Sequence, residues 1–556
     1  MQSIKENWLL LSNLQIDYSI KSSKLVEILL KNRGLTTKKE IDLFLHSKLS
    51  DINTKSLEIK SKELDKAVER IKKAMAQKET IVVYGDYDVD GITSTAILWE
   101  TLYAKGANVI PYIPHRIDEG YGLSIKGIDS ILKEQKVKLI VTVDNGIVAQ
   151  SAVEYANSKG IDVIVTDHHL PDSGDAKLPK AFAIVHTTKL CGAGVAWFLA
   201  KQLGDEKLTN SHLELAALGT IADLVPLVDA NRVIVKEGLH KLRQTKRKGL
   251  IALLERSGIK KENVGVYEIS HIIAPRLNAM GRIEHAMESL RLICTTNQKR
   301  AQDLADKLNL TNRQRQDLTK VAIEHARSLV LSESLNKRLL FIADSSYQQG
   351  IVGLIAGRLT EEFYLPSIVV SVGEVYSKAS ARSVKGFNIV EFIRQASEYL
   401  VDIGGHPMAA GFTVETAKLN ILKNTLSELA LSQVSDEHLV RTLLIDLKFP
   451  LYLISESLYE AIQQLSPFGM GNNEPLFVSE NVIVENVRFV GNESQHVKLE
   501  VFTHKSKVYE AIGFGLSKKA MQIKVGDKID IVYTISQNTW NNRTILQLKL
   551  KDIRTS

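Results

Sequence analysis

Residues 81–91 read IVVYGDYDVDG, a short apolar run followed at once by aspartates at three alternate positions, Asp86, Asp88 and Asp90. The apolar run is typical of a buried strand, and Gly91 would let the chain turn tightly into a following helix. Several carboxylates on one loop repel each other unless a cation lies between them. The stretch therefore predicts a strand, an acidic loop that binds a divalent metal, and a helix; the alternative is an acidic turn that only caps the helix.

Calcium is not the metal that this loop favours. A calcium loop needs a bidentate Glu at its twelfth position, and the twelfth residue counted from Asp86 is Ile97.

A further acid, Asp223, lies in the apolar stretch Ala222-Asp223-Leu224-Val225. Because an unpaired buried charge is costly, either a cation or an arginine must neutralise it.

Two other short clusters also follow predicted strands. Asp144-Asn145-Gly146 comes after residues 139–143, and Asp167-His168-His169 comes after residues 161–166. Taken alone, the first is a turn signal, and paired histidines can be a helix cap or part of a packed core. Parallel strands end at one edge of a sheet, so the clusters together predict a metal site that activates water for hydrolysis.

The fold class that the pattern predicts is α/β. Short apolar strands alternate with amphipathic segments between residues 81 and 190, which favours a parallel sheet. The strands are expected at 81–84, 109–112, 139–143, 163–166 and 183–185, and the helices at 93–105, 125–134 and 150–158.

Outside residues 81–190, the sequence pattern is helical in two regions, α/β in a third and strand-rich at the C-terminal side. Residues 1–75 and 195–330 are expected to be mainly helical, the second ending in a long connecting helix over 298–331. A second α/β region is expected with strands at 339–343, 367–372 and 411–414 and a helix at 350–360. About five strands after residue 440 predict a small barrel of the OB type, at 482–490, 497–503, 508–514, 528–535 and 544–553.

Composition limits the possible classes of protein. A chain of 556 residues is too long for one core. Its net charge of +7 permits a polyanionic partner without requiring one. Cys191 and Cys294 cannot build a disulfide framework or a zinc knuckle, which favours a reducing cytoplasm. No apolar run approaches the length of about 18 residues that a membrane helix needs, and no signal peptide is recognised, so we expect no membrane association.

Four segments resemble the four motifs of the DHH phosphoesterase superfamily: residues 83–91, Asp144-Asn145-Gly146, Asp167-His168-His169 and residues 219–223. Further short matches resemble its RecJ branch, the single-strand-specific exonucleases; they lie at 114–116, 119–122, 191–194, 275–279, 281–282, 380–383, 386–387 and 404–406. The resemblance extends over residues 50–556 and rests on the combination of motifs.

This resemblance implies a two-lobed core with parallel sheets, in which a DHH domain faces a smaller DHHA1 domain, and a C-terminal OB-type β-barrel. It implies stepwise hydrolysis of single-stranded DNA from the 5′ end, in DNA repair and recombination, with two Mn²⁺ or Mg²⁺ ions. A single-strand-binding protein or a helicase is a candidate partner. The expected domains are a helical segment at 1–75, the DHH catalytic domain at 76–230, a helical connector at 231–335, the DHHA1 domain at 336–435 and the OB domain at 440–556.

The resemblance also implies roles for individual residues. The implied metal ligands are Asp88, Asp90, Asp144, His168 and Asp223, with Asp144 bridging two ions, and Asp86 is implied to be either a further ligand or a close partner of these ligands. The implied catalytic residues are Asp144, His168, His169, which orients or polarises the site, and His406. The implied substrate-binding residues are Arg116, Arg276, Arg282, Ser380 and Arg382 at a terminal 5′-phosphate, Gly404 and Gly405 beside the scissile phosphate, and Trp540 stacking on a base.

The chain departs from the family pattern at three places. Tyr84 stands where many relatives have His, Tyr347-Gln348 replaces a Trp-His pair, and His186-Thr187 replaces Asn-Pro. Two rival functions also stay open. A phosphodiesterase for short oligonucleotides or cyclic dinucleotides would not need the C-terminal barrel, and a catalytically silent DNA-binding scaffold would not need the complete set of acids and histidines.

Overall fold

The computed structural model describes residues 5–17, 20–116, 118–171, 178–332, 337–540 and 543–555. The chain forms two compact units. The first unit comprises Met1–Asn7, Pro275–Ser289 and Gln302–Leu443, and the second comprises Trp8–Ala274, Leu290–Ala301 and Leu444–Ser556. None of the helices in the described residues is both long enough and apolar enough to cross a membrane.

The N-terminal segment contains β1 (Lys5–Leu10), α1 (Ser22–Asn32), α2 (Lys38–His46) and α3 (Ser61–Ala76). The expectation of helix throughout this segment was wrong at β1, which pairs with residues Val440–Ile445. Tertiary contacts stabilise the strand: the Trp8 indole donates a 2.7 Å hydrogen bond to Asp552 Oδ2, and the Arg554 guanidinium lies 3.9 Å from the centroid of the Trp8 ring.

A five-stranded parallel sheet forms the centre of the second unit, in the order β3-β2-β4-β5-β6. Its strands and the helices between them are β2 (Ile81–Tyr84), α4 (Val89–Ala104), β3 (Val109–Tyr112), α5 (Ile125–Glu134), β4 (Leu139–Val143), α6 (Gln150–Ser158), β5 (Asp162–Asp167) and β6 (Ala183–His186). The predicted strands are confirmed. Strands β2 and β4 are buried along their whole length, as a parallel sheet covered on both faces requires.

Helix α4 begins earlier than the sequence pattern predicted, at Val89 instead of residue 93. Asp88 caps it, because the Asp88 carboxylate accepts a 3.0 Å hydrogen bond from the Gly91 amide. Asp90 therefore lies in the first helical turn and not on a loop. Gly91 is needed for close packing, since a Cβ there would lie 2.6 Å from the Asp86 backbone.

The middle of the chain is helical, as predicted, and its long helix ends one residue later than expected. The helices are α7 (Gly192–Leu203), α8 (Glu206–Ser211), α9 (Leu213–Ala222), α10 (Asp229–Leu242), α11 (Lys248–Arg256), α12 (Val266–Glu268), α13 (Ala274–Ile283), α14 (Met287–Cys294) and α15 (Gln298–Ser332), with a π-helical turn at Ile269–Ile273. Helix α9 is buried on every side, which explains why its sequence is apolar all round.

The second sheet belongs to the first unit and has the order β10-β11-β9-β8-β7. Its elements are β7 (Leu340–Asp344), α16 (Val352–Phe363), β8 (Ser367–Ser371), β9 (Tyr376–Arg382), α17 (Ile389–Arg394), β10 (Leu400–His406), β11 (Ala409–Glu415) and α18 (Leu419–Gln433), followed by β12 (Val440–Ile445). The sequence pattern missed β9 and β10. Strand β10 is a largely exposed edge strand, so it lacks the apolar run by which buried strands are recognised.

The C-terminal region forms the predicted barrel. Its elements are β13 (Leu447–Lys448), α19 (Glu456–Gln463), β14 (Phe477–Val490), β15 (His496–Phe502), β16 (Tyr509–Gly513), α20 (Ser517–Ala520), β17 (Lys528–Trp540) and β18 (Arg543–Thr555). The order β14-β15-β16-β18-β17 closes through pairing of β17 with β14, and β16 runs parallel to β18. This closed five-stranded barrel confirms the OB-type fold.

Helix α1 packs onto this C-terminal region. Leu25, Leu29 and Leu30 share one hydrophobic core with barrel residues such as Phe477 and Tyr533. At the end of α1, the Asn32 side chain donates a 3.0 Å hydrogen bond to the Asp446 carbonyl. The N-terminal segment is thus part of the barrel's core.

A buried ion network holds the C-terminal end of α4. The Arg247 guanidinium lies 2.7 Å from Glu100 Oε1 and 2.6 Å from Glu214 Oε1, and His212 Nε2 lies 3.0 Å from Glu100 Oε2. Burial alone would raise the pKa of Glu100, but the hydrogen bonds from His212 and Arg247 lower it to about 2. Glu100 is therefore charged at neutral pH and depends on these partners.

Replacement of Arg247 by methionine should destabilise the second unit by roughly 3–5 kcal/mol, because it removes the guanidinium that two buried carboxylates share. The measurement is the melting temperature. Arg488→Ala is the matched control, since Arg488 forms an exposed pair with Glu500 and its loss should cost less than about 1 kcal/mol. Equal shifts in the two variants would contradict a structural role for the Arg247 network.

Candidate active site

The carboxyl ends of β2, β4 and β5 bring the predicted motifs together. His168 Nε2 lies 3.1 Å from Asp144 Oδ1, 3.8 Å from Asp90 Oδ2 and 3.6 Å from Asp223 Oδ2. Asp223 reaches this point from the C-terminal end of α9. Four segments that are distant in the sequence thus meet at one edge of the parallel sheet.

Among the residues that the structure describes, three groups of acidic and imidazole side chains have ligand atoms within 4.8 Å of one another. Asp144 and His168 each belong to two of the groups, so the groups form one continuous cluster, which we call the carboxylate cluster. The groups are Asp86 with Asp88 and Asp144, Asp90 with His168 and Asp223, and Asp144 with His168 and His169.

The backbone at Asp144 is held in an uncommon conformation. Its φ of 64° lies in the left-handed region, which non-glycine residues seldom occupy away from functional sites. The buried Asn145 amide stabilises this turn, because its Nδ2 donates to the carbonyls of Tyr84 (3.2 Å) and Val143 (2.9 Å) and its Oδ1 accepts from the Leu123 amide (3.0 Å). Asn145 thereby joins the ends of β2 and β4.

The start of α7 fixes the position of Asp90. The Asp90 carboxylate accepts hydrogen bonds from the Gly192 amide (2.6 Å) and the Ala193 amide (2.8 Å). The positive end of the helix dipole favours the charged carboxylate there. A Cβ at position 192 would collide with the side chain of Asp144, so only glycine lets α7 approach the cluster this closely.

His169 is held by Asp167 and Tyr121. Its Nδ1 lies 2.8 Å from Asp167 Oδ1, and its Nε2 lies 3.1 Å from the Tyr121 hydroxyl, which also donates to the Asp144 carbonyl (3.2 Å). The other Asp167 oxygen accepts from the Ile147 amide (2.9 Å). Burial opposes protonation of His169, but the bond to Asp167 raises its pKa to about 9.

The carboxylate cluster is electrostatically unfavourable without a cation. Burial and the neighbouring Asp88 carboxylate raise the pKa of Asp86 well above the usual range for aspartate. Burial and the Asp90 carboxylate raise the pKa of Asp144 in the same way. Burial and Asp90 raise the pKa of Asp223 to about 9. Among the described residues, Asp86 Oδ1 is buried without a hydrogen-bond partner. A divalent ion would remove both penalties, and a set of carboxylate and imidazole donors fits Mn²⁺ or Mg²⁺.

Two residues near the carboxylate cluster have different surroundings, one beside the acids and the other in the hydrophobic core. Arg116 lies over the Tyr87 ring, 4.7 Å from its centroid, and its charge acts on Asp86. Tyr84, which stands where many relatives have His, is fully buried in the hydrophobic core with Leu123 and contributes no group to the cluster.

In the first unit, the predicted substrate-binding residues on β9 and β10 share one face of the sheet. Ser380 is paired with Gly411, and Gly411 with Gly404; two positions further on, Arg382 and His406 are both paired with Ala409. Directly opposed residues lie on the same face, and so do residues two apart in a strand. The row therefore brings a hydroxyl, a guanidinium and an imidazole to one face, with the small residues Gly404 and Gly411 between them.

The remaining predicted substrate-binding residues lie outside this row. Gly405 lies in β10 with a φ of 135° and belongs to the opposite face from Gly404. In the same unit, Arg282 donates a 2.9 Å hydrogen bond to the Gly350 carbonyl, and Arg276 Nε donates to Asn309 Oδ1 (3.2 Å). Trp540 is the last residue of β17, and its side chain lies outside the described residues.

Sequence reasoning missed the roles of Asn145, Asp167, Tyr121 and the Gly192 amide. Asn145 and Asp167 lie inside the motifs that were singled out, and the high cost of burying an unpaired amide or carboxylate was the signal that could have identified them. Tyr121 could not have been identified in this way, because its contact with His169 depends on how the loop after β3 folds back.

Three family models match the chain: the DHH family N-terminal domain over residues 80–220, the DHHA1 domain over residues 336–431 and the RecJ OB domain over residues 445–552. The single-stranded-DNA-specific exonuclease RecJ of Bacillus subtilis is 38% identical over 543 residues, which cover 96% of this chain and 68% of that protein. The RecJ exonuclease of Thermus thermophilus is 32% identical over 504 residues, covering 89% of this chain and 71% of that protein.

Solved structures show the same similarity. The crystal structure of RecJ in complex with Mn²⁺ from Thermus thermophilus superposes with a TM-score of 0.81 at 28% identity and covers 99% of this chain and 80% of that one. The complex with Mg²⁺ from the same organism gives a TM-score of 0.76 at 27% identity, with 99% and 79% covered. With its fold, its carboxylate cluster and these relatives, the chain belongs to the RecJ family of DHH proteins.

Proposed function

We propose that this protein is a single-stranded-DNA-specific exonuclease that hydrolyses DNA from the 5′ end with two Mn²⁺ or Mg²⁺ ions. The observation that carries the proposal is the carboxylate cluster at the edge of the parallel sheet, where seven acidic and imidazole side chains converge. The B. subtilis and T. thermophilus relatives carry this activity in their names, and the T. thermophilus enzyme was crystallised with either ion.

In this proposal, Asp86 and Asp88 would hold one ion, Asp90, His168 and Asp223 would hold the other, and Asp144 would contribute to both. The membership of Asp144 in two of the ligand groups supports its bridging role. Two bound ions supply charge stabilisation for phosphodiester hydrolysis and acidify the attacking water.

The protein's own residues prepare this chemistry. The Gly192 and Ala193 amides keep the Asp90 carboxylate in place before any ion binds, which lowers the cost of reorganisation. Asp167 stabilises the protonated form of His169, whose Nε2 faces the Tyr121 hydroxyl, so this imidazole brings a positive charge that orients or polarises the site. His406 is proposed as a further catalytic imidazole.

Arginines are proposed to recognise the terminal 5′-phosphate. Planar guanidinium groups bind phosphate through paired hydrogen bonds, which suits Arg116, Arg276, Arg282 and Arg382 together with the Ser380 hydroxyl. Gly404 and Gly405 would let a strand approach the backbone closely. Trp540 is proposed to stack on a base at the barrel.

The proposal also includes the domain boundaries, the cellular compartment and a partner protein. The domain division is proposed as 76–230 for the DHH domain, 336–435 for the DHHA1 domain and 440–556 for the OB domain, supported by the ranges that the family models match. A reducing cytoplasm suits the two free cysteines. A single-strand-binding protein or a helicase is proposed as the partner that presents the strand.

The test is hydrolysis of a 5′-phosphorylated single strand, labelled at its 3′ end, in the presence of Mn²⁺. We expect progressive shortening from the 5′ end, no reaction on the same sequence as a blunt duplex, and none after chelation of the metal. Asp144→Ala is expected to lose activity by at least about 100-fold. Strand binding without hydrolysis would indicate a scaffold instead, and activity confined to substrates of two or three nucleotides would indicate a short-oligonucleotide phosphodiesterase.

Asp144→Asn should separate stability from function. The change removes one of several crowded negative charges, and asparagine tolerates the left-handed backbone, so the metal-free protein should gain about 1 kcal/mol or more. The rise in melting temperature that Mn²⁺ causes in the parent protein should disappear. Asp303→Asn on the exposed face of α15 is the control and should leave both properties unchanged. A full Mn²⁺ response in Asp144→Asn would exclude Asp144 as a ligand.

Arg382→Lys tests recognition of the 5′-phosphate. Lysine keeps the charge but loses the paired hydrogen bonds, so KM for a 5′-phosphorylated strand should rise about 10-fold or more while KM for a 5′-hydroxyl strand changes little. Arg358→Lys on α16 is the control because Arg358 is exposed and pairs with Glu361. Equal effects on the two strands would place Arg382 outside the phosphate pocket.

A further inference from the structure

A cavity of about 620 Å³ lies at the C-terminal end of α4. It is bounded by this helix, by α8 and α9, by the link from α10 to α11, and by the segment Ile293–Thr296. All of these elements belong to the second unit. Asp90 lies near the other end of α4, about 20 Å away along the helix, so this α4 cavity is separate from the carboxylate cluster.

One wall of the α4 cavity is aromatic. The rings of Trp99 and Tyr103 are stacked, with centroids 5.2 Å apart and planes inclined by 24°. The Tyr103 side chain is 64% exposed, which leaves one face of its ring available. The Trp99 Nε1 atom is buried and has no hydrogen-bond partner among the described residues. This wall therefore offers the π surface of the exposed Tyr103 ring.

A second wall of the α4 cavity, formed by the link between α10 and α11, is basic. Lys241, Lys246 and Lys248 line the cavity and are exposed. None of the three forms an ion pair with a described residue, whereas the charge of Arg247 is already matched by Glu100 and Glu214. Three uncompensated ammonium groups at one cavity favour an anionic ligand.

A single ligand that satisfies both walls must combine a flat aromatic ring with a phosphate-like anion. Nucleotides do so, and the cavity volume falls in the range of about 300–1,000 Å³ that is typical of small-molecule sites. We propose that the α4 cavity binds a nucleoside 5′-monophosphate, with the base stacked on Tyr103 and the phosphate among the lysines. The inference stands on the cavity alone, although the proposed exonuclease reaction would release this class of molecule.

Calorimetric titration of the full chain with dAMP, in buffer with EDTA, tests the site. We expect one saturable site, with dAMP bound at least tenfold more tightly than either deoxyadenosine or inorganic phosphate. Tyr103→Ala should weaken dAMP binding about tenfold, because it removes base stacking. Lys246→Ala with Lys248→Ala should weaken it by a similar factor and reduce its dependence on salt.

The controls match the variants in chemistry and exposure. Tyr267→Ala removes a ring that is 63% exposed, and Lys133→Ala removes an exposed ammonium group of α5, so neither should change dAMP binding. The cavity variants alter exposed side chains outside the proposed catalytic residues and should keep the parent's melting temperature and nuclease activity. Nucleotide binding and the exonuclease proposal can therefore fail separately.

Three results would overturn the inference. The first is dAMP binding that is unchanged in both cavity variants, which would place the nucleotide elsewhere. The second is binding of phosphate as tight as that of dAMP, which would make the site a simple anion site. The third is absence of dAMP binding together with lysine-dependent binding of an acidic peptide or of a longer oligonucleotide.

Discussion

Carboxylates that are buried side by side repel one another, and the catalytic unit is organised around this constraint. Asp86, Asp90 and Asp144 are almost completely shielded from water, where an uncompensated charge is expensive. Much of the surrounding structure restrains these groups: Asn145 joins two strand ends, the start of α7 donates two amides to Asp90, and Arg247 holds the far end of the helix that carries Asp90. The site is therefore built at a cost in stability that a bound cation would offset.

The two units carry complementary chemistry. The second unit gathers acids, which attract cations, whereas the first unit presents Arg382, Ser380 and His406 on one sheet face, a combination that attracts anions. Hydrolysis of a phosphodiester requires both, since the metal ions and the phosphate must each be held.

Much of this architecture could be predicted from the sequence. Strands β2, β3 and β4 were predicted at their observed bounds, because continuous apolar runs bounded by turn residues allow few alternatives. The start of α4 was missed because the Asp88 cap leaves no signal in the apolar pattern. Strand β1 was missed because a partner distant in the sequence stabilises it, and β10 was missed because an exposed edge strand lacks an apolar run. The side chains of the carboxylate cluster were found, but their supports, such as Tyr121, depend on loop geometry that no short motif records.

The contact between the N-terminal segment and the C-terminal barrel has a consequence for biosynthesis. Trp8 bonds to Asp552, 544 positions later, and Leu25, Leu29 and Leu30 share a core with barrel residues that lie beyond residue 446. At about 5–20 residues per second, a ribosome needs about half a minute to two minutes to make the intervening chain. The first helix must wait through that time with its apolar face uncovered. The nascent chain therefore offers chaperones an early binding site that disappears only after the barrel residues have been synthesised.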